Sequence, residues 1–254
     1  MKLTIDTKEK MLRVEQDAPP VTYPLFSAEA FEILSSQWLV LSWNREHWMS
    51  FSWMGRQLLQ LPHDVLRLAE LVWVSRPAVI VETGVYEGGS TLLFASLCRL
   101  AGAGRVISVD LVLRPGVREA VEQCGGGLVT LIEGDSASAE TAAQVRGLIR
   151  DDECVLVFLD SAHTAEHVAA ELENYAPMVT PGSYLVVADT NLPELRDTPN
   201  GKPRWVYDHP MAAVDSFLSR HPEFERSDLK TLFAPEQDCP YLSYFAGSWL
   251  TRRE

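Results

Sequence analysis

Val79-Ile80-Val81-Glu82-Thr83-Gly84-Val85-Tyr86-Glu87-Gly88-Gly89-Ser90 joins a β-branched run, an acidic residue, a glycine turn and the start of an apolar helical pattern. It reads as a strand, a tight loop and a helix N-terminus, an arrangement that holds nucleotide-like cofactors. The glycine spacing narrows the choice. A dinucleotide loop needs glycine at its first, third and sixth positions. Counted from Gly84, the third position is Tyr86, whose Cβ obstructs the approach of a pyrophosphate. No Gly-Lys-Ser/Thr follows, so phosphate-loop chemistry is excluded too. What fits is a ligand without phosphate but with an adenosine and a charged amino-acid end.

Outward from this loop the pattern alternates. Strands are expected at 79–82, 106–110, 128–133, 154–160 and 183–189, and helices at 88–101, 116–123, 138–149 and 162–175. Nearly continuous apolar strands between amphipathic helices predict a Rossmann-like α/β fold, with a mostly parallel seven-stranded sheet covered on both faces. Right-handed crossovers place the strand C-termini along one ligand-binding edge. A long polar loop at 190–209 precedes a helix at 210–220. Segments 224–230 and 241–250 read as closing strands suited to an antiparallel pair. Upstream, residues 1–26 read as an irregular or loosely paired leader. A helix over 27–43 carries Phe31, Leu34, Trp38 and Leu41 at helical spacing, with Ser27 as N-cap, and a second helix covers 61–73. Trp38, Trp43, Trp48 and Trp53 crowd the segment between them. The expected organisation is a helical, aromatic-rich extension or lid at 1–75 and a cofactor-binding domain at 76–254.

The 254 residues, 46% of them apolar, suffice for one α/β domain with an added subdomain. A net charge of −13 argues against a nucleic-acid partner. Cys98, Cys124, Cys154 and Cys239 are widely spaced with no Cys-x-x-Cys, as expected of reduced thiols in a cytoplasmic protein. Residues 1–17 are polar and mixed in charge, unlike a signal peptide. No run approaches the ~18 apolar residues of a membrane span. The aromatic N-terminal segment suits burial in a homo-oligomer.

Acidic residues fall at or just after successive strand ends: Glu82, Asp110, Asp135, Asp160 and Asp189. Asp110 is placed to accept both hydrogen bonds of a ribose diol. With the failed pyrophosphate loop, this points to S-adenosylmethionine. Glu82 and the backbone around Gly84 would sit near its methionine end, Asp135 and Ser136 would border its adenine, and Gly88 and Ser90 complete the cofactor-binding set. Tyr86 would face the sulfonium, a contact worth ~0.5–2 kcal/mol. The alternative for each single acid is a helix cap. Asp160 and Asp189 would repel without a cation, and Mg²⁺, a hard ion that takes oxygen ligands, would relieve this. His163, Glu166 and His167 spell His-x-x-Glu-His, an inverted zinc-peptidase motif. Two histidines and an aspartate also match a non-haem iron triad. A third option makes His163 a general base facing the crevice; a fourth leaves it a surface or capping residue.

Several stretches together resemble one family. They are Ser52-Trp53-Met54-Gly55-Arg56, Gln60-Leu61-Pro62, Glu82-Thr83-Gly84 with Gly88-Gly89-Ser90, and Leu159-Asp160-Ser161-x-His163 with His167-Val168. Gly182-Ser183-Tyr184-Leu185-Val186-Val187, Asp189-Thr190, and Pro210-Met211-x-Ala213-Val214 before Phe217-Leu218 complete the set. The chain is similar over roughly residues 50–230 to the cephalosporin hydroxylase / rhamnosyl O-methyltransferase family. That resemblance implies a class I methyltransferase fold, S-adenosylmethionine binding and tailoring of bacterial natural products. The first-strand loop also resembles that of the magnesium-dependent catechol O-methyltransferases. Two positions depart from these patterns: Ala188 stands where family members often carry an acid, and Thr190 where the catechol enzymes carry asparagine.

The expectation is therefore an O-methyltransferase acting on a hydroxyl of a sugar-bearing or polyketide-like small molecule. Asp160 and Asp189 would hold Mg²⁺, His163 would take the acceptor proton, and the 190–209 loop, with Trp205, Tyr207 and His209, would close over the acceptor. The alternatives are a non-haem iron hydroxylase and a non-catalytic S-adenosylmethionine-binding homologue.

Overall fold

The computed structural model describes residues 1–16, 18–227 and 242–254. Cys239, and the parts of the two closing strands expected within 228–241, lie outside them.

Five strands in chain order build the parallel part of the main sheet: β6 (Val79–Thr83), β7 (Arg105–Asp110), β8 (Val129–Glu133), β9 (Val155–Leu159) and β10 (Tyr184–Val187). β11 (Phe224–Arg226) and β12 (Trp249–Arg252) complete seven strands in the order β11-β12-β10-β9-β6-β7-β8. β12 runs antiparallel to both its neighbours; every other pairing is parallel. Because β6 lies between β7 and β9, chain order reverses beside it. In such sheets the crevice beyond the strand C-termini at that point receives ligands.

The period-two side-chain alternation divides the core between the two faces of the sheet. Val79, Val81, Ile107, Val109, Val157 and Val187 belong to one buried cluster, with Val168 and Leu172 of helix α6 (Ala165–Tyr175) and Val214 and Phe217 of α8 (Pro210–Arg220). Ile80, Val106, Leu156, Phe158 and Val186 belong to the other. There they meet Leu39 of α1 (Ala28–Asn44), Leu68 and Leu71 of α2 (Pro62–Ser75), and Phe94 of α3 (Gly89–Ala101). Helices α4 (Val117–Cys124) and α5 (Ala139–Arg146) fill the remaining crossovers. The Ser27 hydroxyl caps α1, accepting the Ala30 N–H at 3.2 Å.

The chain before the sheet differs from expectation. Of the two readings of residues 1–26, irregular or loosely paired, pairing is found, and it is regular: β1 (Lys2–Asp6), β2 (Met11–Glu15) and β3 (Val21–Pro24) form an antiparallel sheet with Leu12 fully buried. Two-residue strands β4 (Ser52–Trp53) and β5 (Arg56–Gln57) form a small hairpin against α3. Arg56 fastens it to the cofactor-type loop, donating from Nε to the Glu87 carbonyl at 2.6 Å and from a terminal nitrogen to the Glu87 carboxylate at 2.7 Å. At the other end of the chain, the buried Asp64 carboxylate of α2 accepts the Tyr244 N–H at 3.0 Å and the Ser243 hydroxyl. Burial, opposed by these donors, raises the Asp64 carboxyl to about 7. The 190–209 segment is a short helix, α7 (Leu192–Leu195), and a 3-10 turn at Pro203–Val206. Cys98, Cys124 and Cys154 are free thiols. No helix among the described residues is long and apolar enough to cross a membrane.

Gly89 shows how tightly the hairpin is seated. A Cβ there would collide with the Gln57 carbonyl and lie 2.7 Å from the Leu58 Cα. Gly89→Ala is expected to destabilise the protein by about 1–3 kcal/mol through overpacking. Gly102→Ala, where a Cβ meets nothing within 4 Å, should cost only the left-handed backbone penalty of about 1–2 kcal/mol. Denaturant unfolding of both variants, with cofactor-product affinity measured alongside, checks this; only Gly89→Ala should also weaken binding.

Candidate active site

The C-terminal ends of β6, β9 and β10 converge because their backbones touch. Gly84, at φ +88°, carries no Cβ, and one would overlap the Asp160 carbonyl. Only glycine permits both that conformation and that approach. Asp160 N–H donates to the Thr83 carbonyl at 3.0 Å, and Ala188 N–H to the Leu159 carbonyl at 2.9 Å. These bonds align the Asp160 and Asp189 side chains at one opening. Asp189 sits at φ +54°, a left-handed conformation that aspartate tolerates better than most residues.

Asp160, His163 and Asp189 each offer a ligand atom within 4.8 Å of the others. His163 Nε2 lies 3.2 Å from Asp189 Oδ2, and Gln60 donates to Asp160 Oδ2 at 2.7 Å. Burial raises the Asp160 carboxyl well above its ordinary range. The negative charges of Asp189, Glu82 and Glu171 raise it further. A cavity of about 300 Å³ opens beside this group, lined among others by Trp43, Trp48, Gln60, Gly84, Tyr86, Ser90, Ser161 and Tyr244. No Lys or Arg of the described residues lines it. An anionic and aromatic wall without a cation repels phosphate and suits a positively charged ligand.

The predicted cofactor residues are distributed unevenly. Gly84, Tyr86 and Ser90 line the cavity. Glu82 does not: even-numbered positions of β6 face α3, so its side chain is fully buried, accepting from Thr91 and Ser108 hydroxyls at 2.6 Å each. Burial raises its carboxyl. Gly88 is the left-handed residue before α3. Asp110 is partly committed, since its Oδ2 accepts the Val85 and Tyr86 N–H groups at 2.8 Å each. Tyr86 carries the Arg114 guanidinium 3.8 Å from its ring centroid, so its ring already holds one cation. Asp135 is exposed and accepts the Ala137 N–H at 3.0 Å. Ser136 is buried, with Oγ 3.1 Å from His167 Nε2.

The two histidines separate. α6 begins at Ala165 with Thr164 as its cap, so His163 precedes the helix and does not share a face with His167. His167 Nε2 contacts the Ser136 and Ser161 hydroxyls at 3.1 Å each and lies 3.6 Å from buried Glu171. The adjacent Glu171 carboxylate raises the His167 pKa. Neither the zinc motif nor an iron triad of His163, His167 and aspartate is assembled. The two departures also find places. Ala188 packs in the core, and the Thr190 hydroxyl bonds the Tyr244 and Ala246 carbonyls at 3.3 and 3.0 Å, so neither faces the acidic group.

A second cavity, of about 370 Å³, shares Trp43, Trp48, His163 and Asp189 with the first and extends to Lys202, Arg204 and Trp205. Trp205 is buried there, whereas Tyr207 is 71% exposed and His209 caps α8 by accepting the Ala212 N–H at 3.2 Å. Sequence pattern by itself does not mark Gln60, Ser161 and Tyr244 as site residues. Gln60 stands in the Gln60-Leu61-Pro62 motif, but nothing in the sequence signals that Tyr244 returns to the crevice.

Asp160 and Asp189 face each other with no Lys or Arg pair among the described residues. A group whose folded pKa is raised stabilises below its unfolded pKa and loses that stability as pH rises through the folded value. Asp160→Asn should therefore raise the melting temperature of the cation-free protein at neutral pH, by about 2–4 °C per kcal/mol of repulsion removed. The gain should fade in acid, where the wild-type carboxyl is itself protonated. Thermal denaturation in chelator across pH checks this, and a lower melting temperature at neutral pH would contradict it.

A family model described as Rhamnosyl O-methyltransferase/CmcI matches residues 45–242. A rhamnosyl O-methyltransferase of Mycobacterium leprae (strain TN) is 32% identical over 150 residues, covering 57% of this chain and 62% of that protein. Its counterpart in Mycobacterium tuberculosis (strain ATCC 25618 / H37Rv) is 29% identical over 150 residues, 57% of this chain and 59% of that protein. The chain thus spans about three fifths of the length of these curated relatives. A CmcI structure with Mg and SAM superposes with a TM-score of 0.56 at 19% identity, over 81% of this chain and 78% of that one. An O-methyltransferase from Bacillus cereus in complex with SAH gives a TM-score of 0.51 at 17% identity, over 85% and 88%. These two likenesses establish the class I methyltransferase fold. The family match runs from the tryptophan-rich segment through the cofactor-type loop and the Asp160–Asp189 pair into the C-terminal part, and by it the chain belongs to the Rhamnosyl O-methyltransferase/CmcI family.

Proposed function

We propose that this protein is an S-adenosylmethionine-dependent, Mg²⁺-assisted O-methyltransferase acting on a hydroxyl of a sugar-bearing or polyketide-like small molecule. One observation carries the reading: His163 and Asp189 line both cavities and stand where the two meet. A methyl donor in one and an acceptor in the other would present their reacting atoms to the same two side chains. S-adenosylmethionine would supply the methyl group, and Mg²⁺ the positive charge that lowers a hydroxyl pKa.

The chain's own residues supply the rest. Gly84, Tyr86, Ser90 and Ser161 border the cofactor space, and Ser136 adjoins it through His167. Asp160 and Asp189 would hold the cation, whose charge offsets their repulsion. Asp189 holds His163 at Nε2, which leaves Nδ1 to take the acceptor proton. The N-terminal part of the chain would wall the site: Trp43 and Trp48 line both cavities and residues 57–60 line the first, where they would exclude water. Most of the acceleration would come from alignment of nucleophile and methyl, worth up to ~7–11 kcal/mol in favourable systems.

Calorimetry with S-adenosylhomocysteine, with and without Mg²⁺, tests the cofactor half. Binding is expected in both cases, and no heat at millimolar ligand would sink the reading. Mg²⁺ should bind the wild type and not Asp160→Ala. For the chemical step, His163→Ala should lower the methyl-transfer rate by ~10²–10⁴-fold with S-adenosylhomocysteine affinity unchanged. Transfer of labelled methyl to a panel of glycosides and polyketide phenols provides the assay; a full-rate variant would remove His163 from the mechanism.

A further inference from the structure

The second cavity is charged in opposite senses at its two ends. Its inner end is Asp189, beside Asp160 and His163. Its outer end carries Lys202 and Arg204, in a protein whose net charge is −13. Lys202 has no carboxylate within 4.0 Å among the described residues; its ammonium lies 5.7 Å from the Trp205 ring centroid. Arg204 makes one long pair, 3.7 Å from Nε to Asp208, and the opposite Asp208 oxygen accepts the Ala165 N–H. Its terminal guanidinium nitrogens are not used by that pair. Among the described residues, Glu46 at the rim is the one other acid of the lining besides Asp189.

Between the two ends the lining is aromatic. Trp43 and Trp48 stack with ring centroids 5.6 Å apart, and Trp205 meets Trp43 edge-on at 5.9 Å. The buried Trp43 and Trp48 indole N–H groups find no acceptor among the described residues. The Lys202 ammonium and the Arg204 guanidinium are donors without acceptor capacity. They call for a ligand rich in acceptor oxygens.

Resting on the methyltransferase reading, we propose that the acceptor is an anion: a flat, hydroxyl-bearing ring compound with a carboxylate at the end remote from the methylated oxygen. The hydroxyl would point to the Asp160–Asp189 end, where the cation and His163 would meet it. The carboxylate would lie at Lys202 and Arg204, where bonds to charged donors are stronger than neutral ones. The polarity of the cavity thus fixes which end of the molecule enters first. An acceptor with two separated hydroxyls would be methylated at the one farther from its carboxylate.

The test uses 6-hydroxy-2-naphthoate and its methyl ester as probes, added to the protein with S-adenosylhomocysteine and Mg²⁺. Quenching of tryptophan fluorescence reports binding. The acid should bind about tenfold more tightly than the ester, and the advantage should shrink as salt is raised. Lys202→Met should abolish most of that preference, and Lys202→Met with Arg204→Met all of it, through loss of acid binding alone. Equal binding of acid and ester, no binding of the acid at millimolar concentration, or a preference that survives the double variant would overturn the proposal. Calorimetry with S-adenosylhomocysteine, run alongside, separates the two levels. Retained cofactor binding with no acid preference defeats only the anionic acceptor, whereas absent cofactor binding defeats the methyltransferase reading beneath it.

Discussion

At the reversal of strand order, the bare backbone of Gly84 lies against the Asp160 carbonyl, and the rest of the site depends on that contact. It brings the loop after β6 up to the end of β9 with no side chain between. β9 pairs with β10, so the same approach brings Asp189 beside Asp160. A Cβ at position 84 would separate the loop from the strand end and so part the cofactor space from the acidic pair. Gly89 repeats the device on the other side of the loop, seating the hairpin of residues 52–57 directly on α3. Two glycines thus join the sheet edge to the N-terminal segment through backbone contacts that tolerate no side chain.

Electrostatics follows from that geometry. Burial with a second carboxylate nearby makes ionised Asp160 unfavourable, and the absence of Lys or Arg from the first cavity's described lining leaves the charge without a counter-ion from the protein. Even half-buried, carboxylates without a cationic partner weigh against the folded state. Sites that keep them tend to be functional. The cavity is thereby prepared for cations, which suits both a sulfonium and a divalent metal. Beyond His163 the sign changes, and Lys202 and Arg204 prepare the second cavity for the opposite charge.

Buried Glu171 shows a different use of charge. With His167 it ties Ser136, after β8, to Ser161, after β9. The second histidine of the His-x-x-Glu-His stretch is thus a brace between two loops at the sheet edge. A four-residue spacing joins two histidines in shared chemistry only where both lie on one helix. With Thr164 as the cap, the helix starts past His163, so the two histidines do not share a face.

Local pattern sufficed for the sheet, because β-strand and helix periods are written in residues a few positions apart. Val79-Ile80-Val81 and the strands that follow, the Ser27 cap, and the spacing of Gly84, Tyr86 and Gly88 all specify structure by nearest neighbours. The alternation of Leu3 with Ile5 and of Leu12 with Val14 also carried the N-terminal sheet, but short polar-flanked strands gave too weak a signal to stand out. The sequence by itself determined the Rossmann-like architecture, the exclusion of dinucleotide and phosphate-loop chemistry, and the candidacy of Asp160, His163 and Asp189. Only the tertiary structure decided that Glu82 turns inward to Thr91 and Ser108, and that Asp110 spends one oxygen on the loop's own amides. It also decided that Trp43, Gln60, Tyr244 and Lys202, from opposite ends of the chain, wall the same crevice. Which way a strand-end side chain points depends on the sheet's register, and which residues meet across a cavity depends on long-range packing; neither is encoded within a short stretch of residues.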